Sequence, residues 1–84
     1  MQAITEISAI LSEMNKKEIE QFFKELLTLS EITTLSKRWQ ILKLLAGKKH
    51  TQREIARELG VSLCKVTRGA KILKSRNTII KKVI

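Results

Sequence analysis

The 84-residue chain carries a formal net charge of +9, one cysteine, one histidine and no proline. A chain this short buries only a limited fraction of its surface, and Cys64 with His50 can supply neither an internal disulfide nor a four-ligand zinc site. A second copy of the chain is the expected way to complete the core, and a lone thiol fits a reducing compartment, the cytoplasm.

The charge is divided unevenly along the chain. Residues 1–32 carry three lysines against six glutamates, a net −3, whereas residues 33–84 carry fourteen lysines or arginines against two glutamates, a net +12. A solvated surface mixes both signs, so one sign concentrated in one half points to a polyanionic partner: double-stranded DNA first, an anionic membrane as the competitor. The N-terminus lacks a positive cap followed by an apolar run, and no apolar stretch approaches the roughly 20 residues that span a bilayer. The sequence predicts a soluble intracellular protein without a membrane partner.

The residues predict an all-α fold of five or six helices in one domain spanning residues 1–84. A first helix is expected over roughly 3–14, with Ile4, Ile7, Leu11 and Met14 on one stripe. Asn15 reads as the cap of a second, with Glu18 completing a capping box and Ile19, Phe22, Phe23, Leu26 and Leu27 forming its apolar face. Ser30 is expected to cap a third helix that runs to Ala46 and stops at Gly47. Its apolar residues, among them Ile32, Leu35, Trp39, Ile41, Leu42, Leu44 and Leu45, lie on more than one side, which suits contact with two bodies. Residues 1–46 are accordingly expected to serve dimerisation, with Trp39 buried in the dimer core.

After the basic connector Gly47–Lys48–Lys49–His50, Thr51 and Glu54 form a second capping box for a fourth helix ending at Leu59. Gly60 supplies the positive φ of a sharp turn, and Ser62 caps a fifth helix to Lys74. Residues 75–84 form a short last helix from Thr78 or a tail. Residues 51–74 thus meet the demands of a helix-turn-helix: Ile55 and Leu59 inward, Ala56 small at the close approach, Val61 and Val66 packing one helix on the other. A helical hairpin in a protein-binding module shares much of this spacing.

In the DNA-binding reading, Lys48, Lys49, Arg57, Lys71 and Lys74 neutralise phosphates. Arg53 and Lys65 are the candidates for base contact, Leu63 reaches a thymine methyl, and Ser62 and Thr67 complete the exposed face.

The stretch QREIARELGVSLCKVTRG (52–69), preceded by LTLSEITTLSKRWQILKLL (27–45), resembles the tryptophan repressor family; QRE at 52–54, ELG at 58–60 and TRG at 67–69 are its most specific pieces. The resemblance covers residues 15–75. It implies an intertwined homodimer whose reading helices enter major grooves about one helical turn, roughly 34 Å, apart. It also implies an L-tryptophan corepressor held by Arg38 and Arg68, beside Gly69, with Leu27 and Thr28 at the pocket wall. The chain departs from that pattern at three positions. Ile72 stands where a serine receives the ligand's amino group, Lys65 replaces a threonine, and Glu25 replaces a wall leucine. An isoleucine cannot accept from an ammonium, although an inward Glu25 could. The resemblance therefore leaves open a tryptophan-gated repressor, a sensor of another small molecule and a ligand-independent relative that requires no cofactor.

The alternative from another class is an assembly factor that binds an acidic protein through its basic face. An enzyme is not expected, because the chain carries no nucleophile–base pair, no Walker loop and no clustered carboxylates. A redox role for Cys64 is weighed against its use as a small filler.

Overall fold

A computed structural model describes residues 2–84, and these are all-helical: α1 (Gln2–Leu11), α2 (Lys16–Leu26), α3 (Leu29–Gly47), α4 (Gln52–Leu59), α5 (Leu63–Lys74) and α6 (Ile80–Val83). The chain divides into two compact units, Met1–Ile32 and Thr33–Ile84. This is also where the net charge changes sign.

In the first unit, α1 is shorter than its apolar stripe suggests. It ends at Leu11, and the N–H groups of Glu13 and Met14 close tight bonds to the carbonyls of Ile10 and Leu11. The cause lies just downstream. Asn15 must adopt an extended backbone, ψ 175°, to cap α2, so the preceding chain has to leave the helix. The Asn15–Glu18 capping box forms reciprocally, at 2.9 and 3.0 Å. Phe22 and Phe23 meet edge to face, 6.0 Å between centroids.

The cap of α3 differs from expectation. Thr28, two residues before Ser30, accepts from the N–H of Glu31 at 3.1 Å, and the Glu31 carboxylate accepts from the N–H of Thr28 at 2.9 Å. Thr28-x-x-Glu31 provides both halves of a capping box, whereas Ser30 has Thr33 at the corresponding place and no carboxylate to answer it. The far end also shifts by one residue. Gly47 remains helical, and the left-handed φ, 56°, falls on Lys48.

The second unit is organised around Ile41 of α3, Ile55 of α4 and Val66 of α5. These are its buried apolar side chains, Ile55 and Val66 completely so, with Leu44, Leu45, Ala56, Leu59 and Val61 packed round them. Burying each contributes about 1.5–3 kcal/mol. The α4–α5 joint follows the sequence closely: Thr51 and Glu54 form their capping box at 2.8 and 3.1 Å. Gly60 adopts φ 64°, ψ 39° and sends its N–H back towards the carbonyls of Ala56 and Arg57. Ser62 caps α5, its hydroxyl 3.4 Å from the N–H of Lys65.

Gly69 sets how closely α5 approaches α3. A Cβ there would lie 3.0 Å from Ile41 Cγ2 and 3.1 Å from Leu45 Cδ1. The terminal helix α6 touches α5 and starts where the Thr78 hydroxyl accepts from the N–H of Ile80 at 3.1 Å. No helix among the described residues is long and apolar enough to cross a membrane.

Candidate nucleic-acid interface and adjoining cleft

The residues expected to meet DNA lie on three consecutive elements of the basic unit. Lys48 and Lys49 occupy the connector, Arg53 and Arg57 stand one turn apart on α4, and Ser62, Leu63, Lys65, Thr67 and Lys71 belong to the cap and body of α5; all are exposed. Lys74 is exposed at the C-terminal end of α5. Fixing the angle between α4 and α5 decides whether these cations act as one surface. Two features do so: the buried Ile55–Val66 contact region and a polar tie across the joint. Thr67 Oγ1 lies 3.0 Å from Gln52 Oε1 and also 3.0 Å from the carbonyl of Leu63. The role of Gln52 depends on a contact fifteen residues away, which helical periodicity cannot reveal.

The N–H of Thr51, and then its hydroxyl, hold the Glu54 carboxyl below its ordinary value, with His50 and Arg57 adding smaller effects in the same direction. The anion therefore persists at neutral pH, where it caps α4.

Behind the exposed face, α3 and α5 enclose a cleft of about 170 Å³. Arg38, Ile41 and Leu42 line it from α3; Lys65, Arg68, Gly69 and Ile72 line it from α5. Three of the residues singled out for a ligand, Arg38, Arg68 and Gly69, are thus brought together. Lys65, expected to face bases, is found on the cleft wall. Arg68 also borders an outer groove formed with Leu63, Cys64, Thr67 and Lys71. Ile41 and Leu42 belong to the apolar stripe of α3, and their spacing from Arg38, three and four residues, puts them on its side of the helix.

Leu27 and Thr28 belong to the acidic unit, where they end α2 and cap α3. Glu25, in the same unit, has its Oε2 2.7 Å from the Gln21 amide nitrogen one turn away. Cys64 is exposed and free. No grouping of three or more His, Cys, Asp or Glu side chains suited to a metal occurs among the described residues.

The family described as Trp repressor protein matches residues 2–84. The chain belongs to the Trp repressor family. It is similar to proteins named Trp operon repressor homolog. The one from Chlamydia trachomatis serovar D is 37% identical over 70 residues, covering 79% of this chain and 74% of the relative. The one from serovar L2 is 32% identical over 80 residues, covering 90% and 85%. That of Chlamydia caviae is 41% identical over 54 residues, covering 64% of this chain and 54% of the relative, so this match spans about half the relative's length. No solved structure matches the chain. Membership in the Trp repressor family places the chain in a family of transcriptional repressors, not of enzymes.

Proposed function

We propose that the chain is a sequence-specific DNA-binding repressor of the cytoplasm, acting on a two-fold operator as a homodimer, with α4 and α5 as its helix-turn-helix. The observation that carries this reading is the rigid α4–α5 joint. It holds Arg53, Arg57, Lys65 and Lys71 exposed in the unit of charge +12. Lys48, Lys49 and Arg57 supply phosphate contacts and sequence-independent affinity, whereas Arg53, on the first turn of α4, and Leu63, on the first turn of α5, reach base edges.

Dimerisation is supported by what the single chain leaves uncovered. Leu35 and Trp39, one turn apart on α3, are 50% and 41% exposed, and Leu29 is 84% exposed. A soluble monomer rarely leaves apolar side chains of this size clustered in water. In this reading residues 1–46 supply the dimer contacts, and the Arg38–Arg68 cleft is an effector site. L-Tryptophan is the effector that the family name suggests.

A gel-shift titration against random-sequence and selected duplexes at two salt concentrations tests the proposal. With six to ten phosphate contacts, affinity falls by about 10³–10⁵ between 50 and 200 mM salt. A flat salt response, or binding to an acidic protein with none to duplexes, would overturn it.

A further inference from the structure

The connector between α3 and α4 places two neighbouring residues in the less stable order. Gly47 is helical and exposed, and nothing lies within 4 Å of where its Cβ would stand. Lys48, next to it, takes the left-handed backbone at φ 56°, the one non-glycine among the described residues with a positive φ. Its N–H donates to the carbonyl of Leu45 at 3.2 Å, which closes α3. Glycine weakens a helix and suits a left-handed position; lysine does the reverse. The order Lys–Gly would satisfy both positions with the same two residues and the same charge. Nor does anything local require the glycine: no neighbour crowds residue 47, unlike Gly69, and its φ is not positive, unlike that of Gly60.

We propose that Lys48 is a position-specific phosphate anchor, kept at the left-handed position because the ammonium must leave the backbone from there. The proposal rests on the DNA-binding reading of α4 and α5. The two positions send a lysine in different directions. A helical side chain at 47 lies over the residues three and four back, Leu44 and Lys43. That face of α3 borders a groove with Glu58 and Leu59, at the C-terminal end of α4. A lysine there would join a face that carries a carboxylate, beside the wrong end of α4. Residue 48 instead belongs to the turn that leads, within three residues, to Thr51 and the start of α4, where Arg53 is exposed. A compact ammonium on a flexible stem suits a phosphate, which offers charge without a fixed fork. Backbone held against its preference gathers where function uses it.

The test exchanges the two residues in the full chain, Gly47→Lys with Lys48→Gly, which leaves composition and net charge unchanged. The exchanged chain should melt at least about 4 °C higher. Its affinity for selected and random duplexes should nevertheless fall alike, with the salt slope lower by about one. Lys48→Asn separates charge from backbone, because asparagine tolerates the left-handed region. It should melt close to wild type and lose the same increment of salt slope. The proposal is overturned if the exchanged chain keeps the wild-type slope, if it melts no higher, or if Lys48→Asn keeps the slope. Wild-type binding is measured in the same titrations. Loss of the DNA-binding reading (no duplex bound by the wild type) and loss of this anchor (variants that bind like the wild type) are therefore separate results.

Discussion

The hydroxyl of Thr67 on α5 lies 3.0 Å from the side-chain oxygen of Gln52, the first residue of α4. This contact ties the start of one helix to the second turn of the next, so it acts on the angle of the joint more directly than any cap does. Thr67→Val keeps the shape and removes the donor, and should cost about 0.5–1.5 kcal/mol. In a domain of this size 1 kcal/mol corresponds to a melting temperature lower by roughly 4–8 °C. Gln52→Ala should cost a similar amount, and the double variant little more than either alone. Additive losses in a double-mutant melting cycle would show that the two side chains are not coupled.

Gly69→Ala sets two effects against each other. Removing a helical glycine gains about 1 kcal/mol, but the new methyl would sit 3.0 Å from Ile41 Cγ2 and 3.1 Å from Leu45 Cδ1. Ile41 is buried and β-branched, so it cannot swing aside, and overpacking of this kind costs about 1–3 kcal/mol. The expected net is destabilisation of about 1 kcal/mol together with weaker ligand binding, because Gly69 lines the cleft. A melting temperature at or above wild type would mean that α5 retreats from α3 without cost.

The Glu54 carboxyl is held below its ordinary value by the Thr51 N–H. A depressed carboxylate contributes stability that is complete above the unfolded-state value and disappears as pH falls through the folded-state value. Melting temperature should therefore be insensitive to this group at neutral pH and should decline on the acid side of the ordinary carboxylate range. Glu54→Gln, which can still complete a capping box but has no charge to titrate, should remove that part of the acid sensitivity and lower the neutral-pH melt towards the wild-type value on the acid side. Unchanged acid sensitivity in the variant would assign the effect to other carboxylates.

Arg53→Ala and Lys49→Ala should have different effects on duplex binding. Losing a base contact costs about 1–3 kcal/mol and relaxes preference at one position, whereas losing a phosphate contact weakens all sequences alike and lowers the salt slope by about one. Competition assays with selected and random duplexes distinguish the two. Identical profiles would show that Arg53 also contacts only backbone.

Leu35→Asp places a charge on the exposed α3 stripe beside Trp39 without touching the buried cluster. Sedimentation equilibrium should shift from dimer to monomer, with far-ultraviolet dichroism retained. A variant that sediments as wild type would move the subunit interface elsewhere.

The features legible in the sequence are the ones written within four residues of one another. The boxes Asn15–Glu18 and Thr51–Glu54, the αL turn at Gly60 and the Ser62 cap each depend on neighbours along one turn of backbone. Thr28–Glu31 is equally local, and its two reciprocal bonds, not the nearby Ser30, open α3. Lys48 illustrates a different limit: with Gly47 next to it, the glycine is the natural choice for positive φ, yet the helix runs one residue further. The cleft depends on how α3 and α5 pack. Arg38 and Arg68 came from family resemblance, whereas the place of Lys65 on the wall and the tie between Gln52 and Thr67 emerge only from the tertiary contact.

Arg68 borders both the inner cleft and the outer groove. If one guanidinium serves both sides, the two occupancies are thermodynamically conjugate: whatever factor an effector applies to operator affinity, the operator must apply to affinity for that effector. Gene control by this chain would then report not only how much effector is present but also how much of the repressor is already seated on its target.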